Sequence, residues 1–319
     1  MTKIFRSLIP LFILTFVFFG CTKENKENEI KAENNITKIV AFGDSYSDNG
    51  EAKRISTEIM NLENPPENAY IKPSNDLYWN NRYSNGNTAV EVFASNLNVE
   101  LKNYATGGGT TGISNYSAWM DVLGGTGVLG QIKKFENDLD GKEIDENALY
   151  FIFASGNDYF YHMDYNIESE ISEVALNATK NIKTSIEKLT NIGAKKFFVV
   201  KSTDLSLVPY EITTKRTEDA KSFTKVFNQN LEKEIMPLKE KLNIEIMIFD
   251  PIKVSDKIVK NPAEYGISVL DTECQSTYPK ILPKKENEDE YYFWDEWHFS
   301  KKVHKLLGDA MFETYKTLK

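Results

Sequence analysis

The chain has 319 residues, 41% of them hydrophobic and 27% charged, enough apolar material for one large domain or two small ones and against disorder or a polytopic membrane protein. Its formal charge of -9 argues against nucleic acid as a partner, because binding of that kind draws its affinity from a basic surplus. Two cysteines and three histidines leave no Cys/His cluster at zinc-ligand spacing and no disulfide framework, so neither a metal nor another cofactor is expected.

Lys3 and Arg6 precede an apolar run from Leu8 to Phe19 that only Pro10 and Thr15 interrupt. The run is too short to cross a bilayer as a helix, and residues 1–20 read as a signal peptide. Phe18-Phe19-Gly20-Cys21 resembles the lipobox of bacterial lipoproteins, with Phe18 where leucine is usual. The resemblance implies that Cys21 is lipidated and becomes the first residue of the mature chain. Loss of Lys3 and Arg6 makes that chain more acidic still, so attachment to a membrane rests on acyl chains and not on charge. Lipidation also leaves Cys274 alone, which rules out a disulfide within the mature chain. Residues 22–37 are mostly Lys, Glu and Asn and read as a solvated tether. The expected location is the cell envelope, lipid-anchored to a bacterial membrane; an ordinary signal peptide followed by a chance cysteine would make the protein secreted.

From Lys38 onward short apolar runs alternate with amphipathic segments. Residues 39–42, 150–153, 197–200 and 244–249 are rich in β-branched or aromatic side chains and have the length of buried parallel strands, with a weaker strand at 99–104. Helical periodicity covers 88–97, 129–139, 167–192, 217–242 and 301–318. This alternation predicts a single doubly wound α/β domain over 38–319. Residues 51–86 and 271–292 are polar, carry Pro and Asn, and read as long loops that shape a site. The acidic run at 285–290 reads as a solvated surface.

The first strand runs into Gly43-Asp44-Ser45-Tyr46-Ser47-Asp48. Ligands of open α/β sheets bind outside the carboxyl ends of the strands, so Ser45 faces a crevice, where it could act at the start of the next helix or merely cap it. A serine hydroxyl at neutral pH needs a base, and histidine supplies one near pH 6.5. His298 has Asp295 three residues upstream, at an offset that lets a carboxylate orient the imidazole. His304 lies inside a helical stretch and reads as a surface or packing residue; His162 follows a Gly-Asn-Asp turn with no matching carboxylate. Asp44, Asp48 and Asp158, at strand exits, read as caps of nearby N–H groups rather than as a carboxylate or Mg²⁺ site. Trp79, Trp119, Trp294 and Trp297 fall in sequence around the expected cleft, either as an apolar wall for an acyl chain or as core.

Gly43-Asp44-Ser45-Tyr46-Ser47 resembles the nucleophile motif of the GDSL lipases and acylhydrolases, the SGNH hydrolases, with Tyr46 in place of the naming leucine. Three further segments match in order: Asn103-Tyr104-Ala105-Thr106-Gly107-Gly108-Gly109, Gly156-Asn157-Asp158, and Asp295-Glu296-Trp297-His298. Arg82-Tyr83-Ser84-Asn85-Gly86, Gln131-Ile132 with Phe135, and Asp204-Leu205-Ser206 look like segments of the subgroup that holds thermolabile hemolysins, lecithinases, glycerophospholipid acyltransferases and the plant GDSL esterases. The resemblance implies a flavodoxin-like SGNH fold. It implies a nucleophile at Ser45 supported by Asp295 and His298, and an oxyanion hole from the N–H groups of Ser45 and Gly108 with the amide of Asn157, Gly107 and Gly109 being neighbours of the chosen glycine. The expected activity is that of a serine esterase or lipase acting on phospholipid, lysophospholipid or another lipid ester through an acyl-enzyme. The alternatives are acyl transfer at the same site and a non-catalytic envelope lipoprotein that binds a ligand.

Overall fold

The computed structural model describes residues 36–317; the expected signal peptide, Cys21 and the expected tether up to residue 35 lie outside them. The elements follow in order: β1 (Lys38–Gly43), α1 (Glu51–Met60), α2 (Ala89–Leu97), β2 (Glu100–Asn103), α3 (Val128–Leu139) and β3 (Leu149–Phe153). After β3 come α4 (Gly156–Asp164), α5 (Ile171–Asn191), β4 (Lys196–Val200), α6 (Pro209–Thr213), α7 (Thr217–Ile235), α8 (Leu238–Leu242) and β5 (Glu245–Phe249). The chain closes with α9 (Ile252–Lys260), β6 (Val269–Glu273), β7 (Tyr291–Phe293) and α10 (Lys301–Thr317).

β1 to β5 form one parallel sheet in the order β2-β1-β3-β4-β5, the flavodoxin-like doubly wound order. The central strands are apolar throughout because both faces are covered. Successive side chains alternate between the faces, and their ring contacts show which helix takes which. Phe198 meets Phe93 of α2, Phe151 and Phe249. On the other face Phe42 and Tyr150 meet Phe135 of α3. The order reverses between β1 and β3, so the crevice opens at their carboxyl ends, just past Gly43 and Phe153.

Several sequence expectations are corrected. The domain begins earlier than residue 38: Ile36 is buried in the core, and Thr37 donates its N–H to the Asn147 carbonyl at 3.2 Å. Residues 51–86 are not all loop, since α1 buries Ala52, Ile55, Ser56 and Ile59 on one face while the outer face pairs Arg54 with Glu51 and Glu58. The helix expected over 217–242 breaks between α7 and α8 at Pro237, which has no N–H to continue the ladder. The helix expected from residue 167 starts at Ile171, and the 271–292 stretch contributes β7 and the end of β6, paired in parallel.

Candidate active site

Two close approaches set the crevice. A Cβ on Gly43 would lie 2.4 Å from the Phe153 carbonyl oxygen, so only glycine lets β1 run this close to β3. Gln131 of α3 then clamps the same residue, its Oε1 accepting from the Gly43 N–H at 2.9 Å and its Nε2 donating to the Gly43 carbonyl at 2.7 Å. Ser45 follows at once in a turn in which the N–H groups of Ser47 and Asp48 donate to the Asp44 carbonyl, both at 3.0 Å. This corrects the expectation that Ser45 could open a helix: α1 starts only at Glu51.

Asp295 and His298 lie in the turn between β7 and α10, closed by a 2.7 Å bond from the Trp294 N–H to the His298 carbonyl. His298 Nε2 is 2.8 Å from Ser45 Oγ, and Nδ1 is 2.8 and 2.7 Å from the two oxygens of Asp295. Asp295 Oδ1 also accepts the N–H groups of Trp297 and His298, at 2.8 and 2.6 Å, and Oδ2 accepts the Tyr78 phenol at 2.5 Å. Burial pulls this carboxyl up, but the imidazole facing it and these hydrogen bonds outweigh burial and hold it below the ordinary carboxylate range. The histidine therefore faces an ionised carboxylate on one side and a hydroxyl on the other.

The triple glycine sorts itself by hydrogen bonding. The Gly107 N–H donates to Asp48 Oδ2 at 2.7 Å and the Gly109 N–H to the Thr106 carbonyl at 2.9 Å. Among the described residues the N–H groups of Gly108 and Ser45 have no acceptor. Gly108 has a φ of +82°, and a Cβ there would lie 2.4 Å from Asn115 Oδ1. Asn157, on the first turn of α4, donates its amide to the Gly109 carbonyl at 3.0 Å and retains a second amide hydrogen. Asp158 beside it accepts from Thr111 N and Oγ1, at 2.8 and 2.7 Å, which ties the glycine loop to α4. Burial pushes Asp158 and Asp48 up to about 6, and Asp44 to about 7.

Tyr46, the residue standing where the motif usually has leucine, stacks on Phe299 and Phe153 at 4.7 and 5.6 Å and donates its phenol to the Trp297 carbonyl at 2.9 Å. A leucine could pack there but could not hold that loop. Segment 82–86 grips the same turn from the other side: Ser84 Oγ donates to the Phe299 carbonyl at 2.8 Å, Asn85 Oδ1 accepts from the Lys301 N–H at 2.7 Å, and the Tyr83 ring lies 5.1 Å from that of His298.

Other candidates fall away from the chemistry. His304 is fully buried, so the surface alternative is excluded; its Nδ1 accepts from the Ala89 N–H at 3.2 Å, and burial holds its pKa down at about 3. His162 is buried against Ser169. The four tryptophans do not gather: Trp119 packs with α1 in a separate small core, Trp79 is exposed, and Trp294 and Trp297 flank the triad turn. Tyr78 and Glu296 were missed by sequence reasoning. Tyr78 stands in a polar stretch without periodicity, and Glu296 inside the Asp-x-x-His spacing gives no sign that its buried carboxylate holds the adjacent loop.

A GDSL-like lipase/acylhydrolase family profile matches residues 39–311. The chain belongs to that family. Among its relatives, the Arabidopsis thaliana GDSL esterase/lipase EXL2 is 23% identical over 96% of this chain and 95% of the relative. The A. thaliana GDSL esterase/lipase At5g42170 is 24% identical over 92% and 90% respectively. Among solved structures, LAE5, an α/β hydrolase from the metagenome of Lake Arreo in Spain, superposes with a TM-score of 0.48 at 13% identity, covering 89% of this chain and 96% of that one. Membership of the family makes this GDSL hydrolase a serine ester hydrolase, and its own central parallel sheet makes the fold α/β.

Proposed function

We propose that this GDSL hydrolase cleaves carboxylic esters of lipids through an acyl-enzyme on Ser45, at the cell envelope to which Cys21 anchors it. The observation that carries the catalytic reading is the 2.8 Å contact between Ser45 Oγ and His298 Nε2, with Nδ1 on the Asp295 carboxylate. Asp295 fixes the tautomer in which Nε2 carries the free lone pair.

As Ser45 Oγ bonds to the ester carbonyl carbon, its proton passes to His298 Nε2 and the carbonyl oxygen takes the negative charge. The N–H groups of Ser45 and Gly108, free of other acceptors among the described residues, and the second amide hydrogen of Asn157 are the donors for that oxygen. Collapse of the tetrahedral species breaks the bond to the alcohol, which leaves with the proton from His298. His298 then takes a proton from water, whose oxygen attacks the acyl carbon, and the acid departs as Ser45 regains its proton. Preorganised donors of this kind each contribute about 10² to 10³ in rate.

The lipid part of the reading is supported by the apolar run and Cys21 ahead of the domain and by the subgroup motifs in segments 82–86, 131–135 and 204–206. A mixed panel of phospholipids, lysophospholipids, acylglycerols and acetylated glycans, with the released acids read by mass spectrometry, tests it. Long-chain acids released by the wild type and absent with Ser45→Ala agree with the reading; acetate alone overturns the lipid assignment.

A further inference from the structure

The segments that hold the catalytic groups also carry an apolar rim. Tyr116 donates its N–H to the Gly108 carbonyl at 2.7 Å. α4 starts at the Asn157 turn and carries Tyr161 and Tyr165 outward, about 1.5 Å per residue. Trp297 adjoins His298, and Tyr210 of α6 donates its N–H to the Glu296 carbonyl at 3.0 Å. Ring contacts join these into two groups: Tyr210, Tyr278 and Trp297 lie 4.9 to 6.0 Å apart, and Tyr116, Tyr165 and Tyr161 form a chain with steps of 5.7 and 4.6 Å. Asp164 ties the groups together, accepting from the Tyr116 phenol at 3.0 Å, the Tyr210 phenol at 3.4 Å and Arg216 at 2.7 Å.

The outer members of the rim face water. Ile281 is 66% exposed, Tyr278 54%, Leu282 53%, Tyr165 52%, and Tyr161 and Ile212 38% each. Scattered single apolar residues on a surface need no explanation, but exposed apolar residues grouped on the segments that hold the site do. The loop that carries Ile281 and Leu282 cannot fold back to hide them. Buried Glu296 accepts from Ser276 Oγ, from the N–H and hydroxyl of Thr277 and from the Tyr278 N–H, at 2.6 to 2.9 Å. On the far side of the tip, the Leu282 N–H donates to the Ser276 carbonyl at 3.2 Å and Gln275 Nε2 to the Leu282 carbonyl at 2.8 Å. The carboxylate next to Asp295 in sequence thus fixes the loop that exposes Ile281 and Leu282.

We infer that this rim is a docking surface for a zwitterionic phospholipid surface, with Ile281 and Leu282 entering the acyl boundary and the tyrosines at headgroup depth. Aromatic rings with a polar end favour that depth. The lipid surface is the occupant because the rim is carried by the segments that hold Gly108, Asn157 and His298 and because of what precedes the domain. The apolar run at 8–19 and Cys21 are followed by residues 22–35, which reach about 48 Å fully extended. β1 runs away from that attachment toward Ser45, and a domain of this size has a radius of gyration of about 19 Å. The tether therefore lets the cleft edge lie on the surface that holds the anchor. Of the lysines beside the tip, Lys284 pairs with Glu288 at 2.8 Å and Lys285 with Glu273 at 3.5 Å, so the apolar residues and not charge carry the contact. The inference rests on the lipid-ester reading above, but docking needs no chemistry at Ser45, so a failure to dock and a failure to hydrolyse are told apart.

The test places an environment-sensitive nitrobenzoxadiazole dye at Leu282→Cys in the full chain with Cys21→Ser and Ser45→Ala, the remaining Cys274 being buried. The same dye at Lys142→Cys, exposed beyond the opposite end of the sheet, is the comparison. With phosphatidylcholine vesicles the dye at position 282 should brighten at least threefold and be quenched by brominated acyl chains, while the dye at 142 stays unchanged. In the unlabelled chain Ile281→Ser with Leu282→Ser should lower the vesicle-bound fraction at least fivefold. Three results overturn the proposal: the two dyes respond alike to vesicles, the double variant binds as the parent does, or the dye at 282 brightens without vesicles as protein concentration rises, which assigns the rim to a protein partner.

Discussion

Asp48 Oδ2 accepts the Gly107 N–H at 2.7 Å, and the same carboxylate accepts the N–H groups of Gly50, Glu51 and Ala52 at the start of α1. One buried side chain thus caps a helix and commits Gly107, leaving the next peptide, that of Gly108, free to face the cleft. Asp48→Ala should cost about 1 to 3 kcal/mol of stability, the price of an N-cap and unsatisfied buried donors, and lower kcat by about tenfold or more with KM nearly unchanged, as steady-state kinetics would show. Burial raises this carboxyl to about 6, so the folded state binds its proton more readily than the unfolded chain. Its contribution to stability accordingly falls as pH rises between about 4 and 6. Asp48→Asn should flatten that part of a stability profile measured by denaturation at fixed pH values, and an unchanged profile would contradict the assignment.

Tyr78 reaches the Asp295 carboxylate from outside the turn that holds it. Its phenol is one of the bonds that keep Asp295 ionised in a fully buried position. Tyr78→Phe should lower kcat by about 3- to 30-fold, leave KM within about twofold, and move the acidic limb of kcat/KM upward, because the carboxylate is then protonated more easily. A variant that loses activity uniformly across pH, with reduced thermal stability, would make Tyr78 a packing residue.

The strands of the main sheet, and Ser45, Asp295 and His298, which the structure joins by hydrogen bonds, were legible because each is local. A buried parallel strand is a short apolar run, and the nucleophile, glycine, asparagine and histidine motifs each sit at the end of one element. What was not legible depends on contacts distant in sequence. α1 hides in a charged stretch because only Ala52, Ile55, Ser56 and Ile59 turn inward. Tyr78 lies 217 residues from Asp295, and no spacing rule links them. Register from Asn103 singles out Gly108 among Gly107, Gly108 and Gly109, but the reason, that other parts of the fold consume the N–H groups of Gly107 and Gly109, is not in the sequence.

His304 is held neutral in the fold with a pKa near 3, because burial disfavours its charged form and His298 adds to this. The unfolded chain takes up a proton near 6.5 that the folded state refuses, so this residue destabilises the protein as pH falls from about 6.5 toward 3. The shift corresponds to a few kcal/mol at about 1.4 kcal/mol per pH unit. His304→Gln keeps an acceptor for the Ala89 N–H. Urea midpoints at pH 7 and pH 4 should differ less for this variant than for the wild type; an equal difference would place the titration elsewhere.

Asn157→Ala should lower kcat by about 10² to 10³ while the protein stays folded, because the side chain is only partly buried and makes one bond, to the Gly109 carbonyl. Gly108→Ala should be worse on both counts, as it places a Cβ at a φ of +82° against Asn115 and displaces the donor itself. Circular dichroism together with hydrolysis of a short p-nitrophenyl ester separates the two effects. Full activity in either variant would remove that residue from the oxyanion hole.

The most direct test of the proposed mechanism is covalent capture of the nucleophile. A fluorophosphonate probe applied to the native protein, followed by peptide mass spectrometry, should place one adduct on Ser45, with labelling at least about 10²-fold slower in His298→Ala. Labelling at another serine, or labelling of Ser45 that His298→Ala leaves unchanged, would contradict a serine activated by this histidine.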